Sequence, residues 1–324
     1  MNRHLTRKAF GLTRDPWARL RLDTADTSRV RDMLDSAIND QALVQIVGET
    51  GMGKSTAFWS GLAGRTDFTP QTDLVEIVRL DRDRRTIADA VSAIYRTLGL
   101  PRPTRGEDRD AQLRQVLGQA TRERDGGRRT LLLVVDDAHR LHWQTVDALK
   151  GLRELAWMGR SPLIGIVLLS QRDALGSRKE IRQRADTLHM AGLTTAEVAT
   201  ALDRTVGHLI APEALPIITS HAAGRTWNDM IECTDIALSL ALTADHQKVE
   251  RIDALQATGA GLKAIAEASG ISQADLARQT GSSETTISRV LSGQREDRAL
   301  QSRIADILMG GADSTPRQVA AGGR

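Results

Sequence analysis

A chain of 324 residues and 35.3 kDa exceeds one small domain, and at roughly 100–200 residues per domain it holds two or three. Its 40% hydrophobic and 26% charged residues exclude a disordered or fibrous chain, and the single cysteine, Cys233, excludes a disulfide framework and any multi-cysteine zinc or iron–sulfur site. With 44 Lys and Arg against 41 Asp and Glu the net charge is only +3, which permits nucleic acid as a partner without demanding it.

Other exclusions follow from patterning. No apolar run approaches the roughly 18 residues of a membrane span. The basic start, Arg3, His4, Arg7 and Lys8, is followed by no apolar block of a signal peptide, so the expectation is a cytoplasmic protein without a membrane partner. Aromatic residues make up 3%, too few for a single-strand binder that stacks successive bases, so any nucleic-acid partner should be a duplex.

In chain order, strand-length apolar runs alternate with helical stretches through residue 190, as in a parallel βαβ sheet. The predicted strands are Ala42–Val47, Leu74–Leu80, Thr130–Asp136, Leu163–Ser170 and Thr187–Met190. The middle ones are nearly continuous in Leu, Val and Ile, as expected when helices cover both faces. Ile87, Val91, Ile94 and Leu98 recur at helical spacing, and so do Val146, Leu149, Leu152 and Leu155. Pro101, Pro103 and Gly106 separate the first of these from a helix at 107–124, and Gly126–Gly127 forms a turn. Beyond Leu193 the strand signal stops. Thr194 or Thr195 with Glu197 reads as a helix N-cap, and helices are predicted at 197–206, 212–222 and 227–243. The expected division is a core at 1–190, a helical lid at 191–248, a small all-α domain at 249–300 and a mobile tail at 301–324.

Gly48, Glu49, Thr50, Gly51, Met52, Gly53, Lys54 and Ser55, followed by Thr56, satisfy the phosphate-loop pattern directly after the first strand and before a helix. Glycines allow backbone N–H groups to wrap phosphates where side chains would collide. Lys54 supplies positive charge at the terminal phosphates, Ser55 presents its hydroxyl to Mg2+, and the helix N-terminus adds partial positive charge. The apolar strand through Leu131–Val135 ends in Asp136 and Asp137. Asp136 is expected to hold the Mg2+ shell and Asp137 to polarise the attacking water.

Asp136-Asp137-Ala138-His139 resembles the D-E-A-H form of the Walker B motif in AAA+ ATPases. Phe10-Gly11-Leu12 and Pro16-Trp17, with Arg29–Ile38 leading into the P-loop, are similar to the lead-in of the ExeA/TniB type, the branch that includes TnsC and phage Mu B. The resemblance covers roughly residues 8–245. It implies an α/β P-loop NTPase (AAA+) sheet with a helical lid, ATP and Mg2+ as cofactors, and ATP hydrolysis between subunits. It also implies the sensor I position at Ser170 or Gln171, from Ser170–Leu175. An arginine finger is implied at Arg184, or at Arg182 as the second choice. Two departures stand out. The usual catalytic Glu is Asp137, one methylene shorter, which implies slow hydrolysis. Within Gly224–Asn228, Trp227 occupies the sensor II arginine position, leaving Arg225 to substitute.

Residues 271–293 carry a helix-turn-helix pattern. Ala277 is small where two helices cross, Gly281 turns the chain, and Ile287 and Val290 pack back. This resembles the lambda-repressor-like (XRE) domains, with Gly261–Ser269 as the preceding helix. Ser283, Glu284, Thr285, Ser288 and Arg289 would then face the major groove of double-stranded DNA. The acidic Glu284 and the near-even charge keep a second reading open, a helical hairpin that docks on protein. His139 and His142 lack a metal-ligand set. The basic runs Arg79–Arg85 and Arg122–Arg129 are exposed faces that a pore or DNA groove could recruit. Together these features imply an ATP-dependent DNA-binding protein of a Mu-like phage or transposon that oligomerises on target DNA and recruits or activates a transposase. The rivals are an ATP-gated transcriptional regulator and an ExeA-like assembly ATPase.

Overall fold

The computed structural model describes residues 3–18, 20–64, 75–79, 86–101, 109–121, 130–176, 178–259, 261–292, 294–295 and 297–310. Its elements begin with α1 (Arg3–Ala9), α2 (Ala25–Asn39), β1 (Leu43–Val47), α3 (Lys54–Ala63), β2 (Val75–Arg79), α4 (Ile87–Thr97) and α5 (Arg109–Ala120). There follow β3 (Thr130–Val135), α6 (Trp143–Arg153), β4 (Gly165–Ser170), α7 (Lys179–Arg182) and β5 (Ala185–His189). The remainder is helical: α8 (Thr195–Asp203), α9 (Leu215–Ala222), α10 (Trp227–Thr243), α11 (Arg251–Ala257), α12 (Leu262–Ser269), α13 (Gln273–Thr280), α14 (Glu284–Leu291) and α15 (Arg298–Gly310). Most residues of the basic runs 79–85 and 122–129, the break at Pro103 and Gly106, the turn at Gly126–Gly127 and the tail beyond 310 lie outside the described residues.

The chain divides into two units. The first, residues 22–193 with 224–228, is built on five parallel strands in the order β2-β3-β4-β1-β5. Every residue of β1, β3 and β4 is buried, because helices cover both faces. Alternation along the strands sorts the core into two layers. Leu131, Leu133, Val135, Ile166 and Leu168 pack with Ile94, Leu117 and Leu149 from α4, α5 and α6. Leu132, Val134, Val44, Ile46 and Val167 pack with Leu34 and Phe58 from α2 and α3 on the other face. The parallel register brings the ends of β1, β3 and β4 to one edge: Val47 lies beside Ser170, and Gly48 N–H donates to the Ser170 carbonyl at 3.0 Å. That edge, at the carboxyl ends of parallel strands, is where α/β sheets hold ligands.

The second unit comprises residues 1–21, 194–223 and 229–324. Thr194 caps α8 in a reciprocal capping box with Glu197, as the sequence suggests. Cys233 is buried on α10. Arg7 of α1 grips Asp235 of α10 with two charge-assisted hydrogen bonds of 2.9 and 2.8 Å. Helices α11–α15 form a separate apolar cluster around Leu276, Ile287, Val290 and Ile304. Residues 301–310, expected to open a mobile tail, instead complete α15. Leu300, Ile304 and Leu308 recur at helical spacing and are buried in that cluster, so the segment is held by its own apolar face. Among the described residues no helix is long and apolar enough to cross a membrane.

Candidate functional site

The loop between β1 and α3 turns through two left-handed glycines, Gly51 at φ +88° and Gly53 at φ +87°, a conformation that L side chains rarely adopt. Lys54 opens α3 and is only 9% exposed. Its Nζ donates to the carbonyls of Gly48 at 2.6 Å and Glu49 at 2.8 Å, which fixes the ammonium under the loop. Burial lowers the Lys54 pKa below the ordinary lysine value, while the charges of Asp136 and Asp137 oppose that shift. Ser55 Oγ donates to Asp136 Oδ2 at 3.0 Å, joining the loop to the end of β3. Asp136 in turn accepts the Asp137 N–H at 2.9 Å. Asp137 has φ +52°, a left-handed conformation that Asp tolerates better than most residues and that clusters at functional sites. The site thus brings Lys54, Ser55, Asp136 and Asp137 together, one buried cation facing two carboxylates and a hydroxyl.

The other expected site residues are placed less directly. Ser170 is fully buried at the end of β4, and its hydroxyl donates to the Arg172 carbonyl. Gln171 is exposed. Arg184, immediately before β5, pairs with Glu154, and Arg182 pairs with Asp173 at 3.2 Å. Arg225 is exposed, whereas Trp227 lies against the P-loop: its backbone N–H donates to the Gly51 carbonyl at 3.2 Å. His142 caps α6 through Nδ1, and His139 is half-buried. Among the described residues no group of three or more His, Cys, Asp or Glu could hold a metal ion. A cation at Ser55 and Asp136 would therefore need further ligands from the phosphates, the usual arrangement for Mg2+. The hydroxyl and carboxylate within 3.0 Å of each other fit that role.

Two positioning residues escaped the sequence reading. Gln45, wholly buried in β1, donates from Nε2 to Asp173 at 3.0 Å and accepts the Ala174 N–H at 2.9 Å, pinning the loop that follows β4. Burial would raise the Asp173 carboxyl, but bonds from Gln45, Leu175 and Gly176 and the Arg182 charge hold it below the usual range. Asp26, buried at the start of α2, accepts the N–H groups of Ala191 and Gly192 after β5. The signal for Gln45 was present, a lone polar residue in the apolar run Leu43–Val47. Asp26 offered none, since an acid in a first helical turn is ordinary.

In the C-terminal cluster Ser283 is the N-cap of α14, accepting from Thr286 N–H at 3.2 Å, and Gly281 ends α13 at φ +65°. Ala277, Ile287 and Val290 are buried, while Ser283, Glu284, Thr285, Ser288 and Arg289 are exposed on one short helix and its cap.

Residues 38–176 match the family profile described as an AAA domain, and residues 257–317 match that of a helix-turn-helix domain. Among curated proteins none matches the chain. The fold is similar to the crystal structure of Cdc6p from Pyrobaculum aerophilum, at 15% identity and a TM-score of 0.50 over 94% of this chain and 90% of that one. It is likewise similar to Drosophila ORC bound to DNA, at 16% identity and a TM-score of 0.50 over 96% of this chain and 84% of that one. The chain therefore carries an AAA domain with the P-loop NTPase fold and a C-terminal helix-turn-helix domain.

Proposed function

We propose that this chain is an ATP-dependent DNA-binding AAA+ ATPase of a transposition system, of a Mu-like phage or transposon. It would work in the cytoplasm, assemble on target DNA and recruit or activate a transposase. The observation that carries the nucleotide reading is the Ser55–Asp136 hydrogen bond beside the buried Lys54. The glycines would receive the phosphates and Lys54 would meet their charge, while Ser55 with Asp136 would hold Mg2+, which would supply further positive charge against the phosphates. Asp137 orients the attacking water, more loosely than a glutamate would, so turnover is slow. Ser170 or Gln171 helps to place that water, and Arg184 acts on the nucleotide of a neighbouring subunit, with Arg182 as the second candidate. Subunits joined through ATP form a helical or ring oligomer on double-stranded DNA.

Ser283, Glu284, Thr285, Ser288 and Arg289 supply the major-groove face, supported by their shared exposure on α14. The DNA in the Drosophila ORC structure also supports a DNA partner. The transposase partner rests on the resemblance of Phe10–Trp17 and the Walker B segment to the TniB type. Imaging the protein with duplex, with and without a slowly hydrolysed ATP analogue, tests the reading. Regular rings or filaments should form only with the analogue. Isolated molecules bound at one short sequence regardless of nucleotide would instead support an ATP-independent operator binder.

A further inference from the structure

The segment 224–228 returns to the P-loop along a fixed path. Gly224 N–H donates to the Leu193 carbonyl at 2.8 Å, and Leu193 N–H donates to the Arg225 carbonyl at 3.2 Å. Gly192, at φ +82°, permits this approach because a Cβ there would stand 2.6 Å from the Arg225 carbonyl oxygen. At the other end, the Trp227 indole lies 3.5 Å from where a Cβ on Gly53 would be. The Asn228 carboxamide sits against Gly51, where an added Cβ would be 2.5 Å from Nδ2 and 2.8 Å from Cγ. Asn228 is exposed, and its side chain makes no hydrogen bond among the described residues.

We propose that Asn228 is a further nucleotide-binding residue, donating its amide to the phosphates seated on Gly48–Ser55, with Trp227 holding it in place against the loop. The proposal rests on the P-loop reading above. The chemistry follows from the inventory of the site. The loop offers backbone N–H groups and one ammonium, and Lys54 is already bonded to two loop carbonyls. The residue beside Gly53 is an indole rather than a cation, so the neighbouring donor is the neutral amide of Asn228. An amide provides two N–H donors and no net charge, and a hydrogen bond to a charged acceptor is stronger than one between neutral groups. Trp227 supplies rigidity: its backbone N–H is committed to the Gly51 carbonyl and its ring packs on Gly53.

The test compares ATP and ADP binding by calorimetry in wild-type protein, Asn228→Ala and Asn228→Asp, with Lys54→Ala as the variant that loses the loop's own cation. Asn228→Ala should weaken ATP binding about 10-fold or more. Asn228→Asp should weaken it further, because the same shape then presents a negative charge to the phosphates, and the loss should be larger for ATP than for ADP. The nucleotide-free variants should melt at the wild-type temperature, since the side chain is exposed. If Asn228→Asp binds ATP as tightly as wild type, the proposal is overturned. Equal losses in both variants together with a lowered melting temperature would also overturn it, by reducing Asn228 to a packing residue. Wild-type protein that binds no ATP would overturn both this proposal and the P-loop reading, whereas unaffected variants of an ATP-binding wild type refute the proposal for Asn228 alone.

Discussion

Gly165→Ala should destabilise the α/β unit, and Gly151→Ala should stabilise it. At Gly165, the first residue of β4, an added Cβ would stand 2.2 Å from the Ala37 carbonyl oxygen of α2 and 2.6 Å from Leu132 Cδ2. The leucine methyl can swing aside, but the carbonyl belongs to the main chain of a helix packed on the sheet. Restoring a carbon–oxygen separation of about 3.3 Å requires α2 to retreat by about 1 Å. Overpacking of this kind costs about 1–3 kcal/mol, and for a unit of this size each kcal/mol lowers Tm by about 2–4 °C, so Tm should fall by about 2–12 °C. Gly151 lies on the exposed side of α6, and a Cβ there meets nothing within 4 Å. Ala removes the helix penalty of glycine, about 0.5–1 kcal/mol, and Tm should rise by about 1–4 °C. Thermal unfolding followed by circular dichroism reads both. Gly165→Ala melting at the wild-type temperature, or both variants shifting in the same direction, would refute the packing argument.

Lys54→Ala should abolish ATP binding, because the phosphates lose their buried cation; calorimetry showing wild-type affinity would remove the P-loop assignment. Arg184→Ala should bind ATP but lose turnover by about 1000-fold or more, and mixing it with Lys54→Ala subunits should restore some activity at hybrid interfaces; no recovery in confirmed mixed oligomers argues against a shared site. Deleting residues 250–324 should weaken duplex binding without altering ATP affinity, and Arg289→Ala should do part of the same; an unchanged isotherm would move this domain to a protein-docking role. Asp173→Asn should lower stability at neutral pH. Since the folded carboxyl titrates below its unfolded value, the gap should be full above about pH 4 and close as pH falls through the folded value; a gap independent of pH would contradict the Gln45 and Arg182 contacts.

The sheet was legible because its strands are short apolar runs punctuated by glycine and charge, and because Gly48–Ser55 ties a residue pattern to a backbone shape. The helix-turn-helix was legible for the same reason: Ala277, Gly281, Ile287 and Val290 each meet a distinct steric need. The extent of α15 was less so. Leu300, Ile304 and Leu308 carry the spacing, but Gly310, Gly311 and Pro316 nearby suggested a tail. Pairings distant in sequence were hidden. Nothing near Gln45 points to Asp173, nor near Asp26 to Ala191 and Gly192. The place of Asn228 beside Gly51 likewise depends on a path from β5 through residues 192–193 and 224–225 that only three dimensions reveal.

In the proposed function, ATP at Lys54, Ser55 and Asp136 governs DNA binding by the same chain. The most direct measurement is the duplex affinity of the full-length protein with and without a slowly hydrolysed ATP analogue, in wild type and Lys54→Ala, at one fixed salt concentration. The analogue should tighten binding by wild type about 10-fold or more and leave Lys54→Ala unchanged. Equal wild-type affinity in the two conditions, or the same tightening in Lys54→Ala, would contradict it.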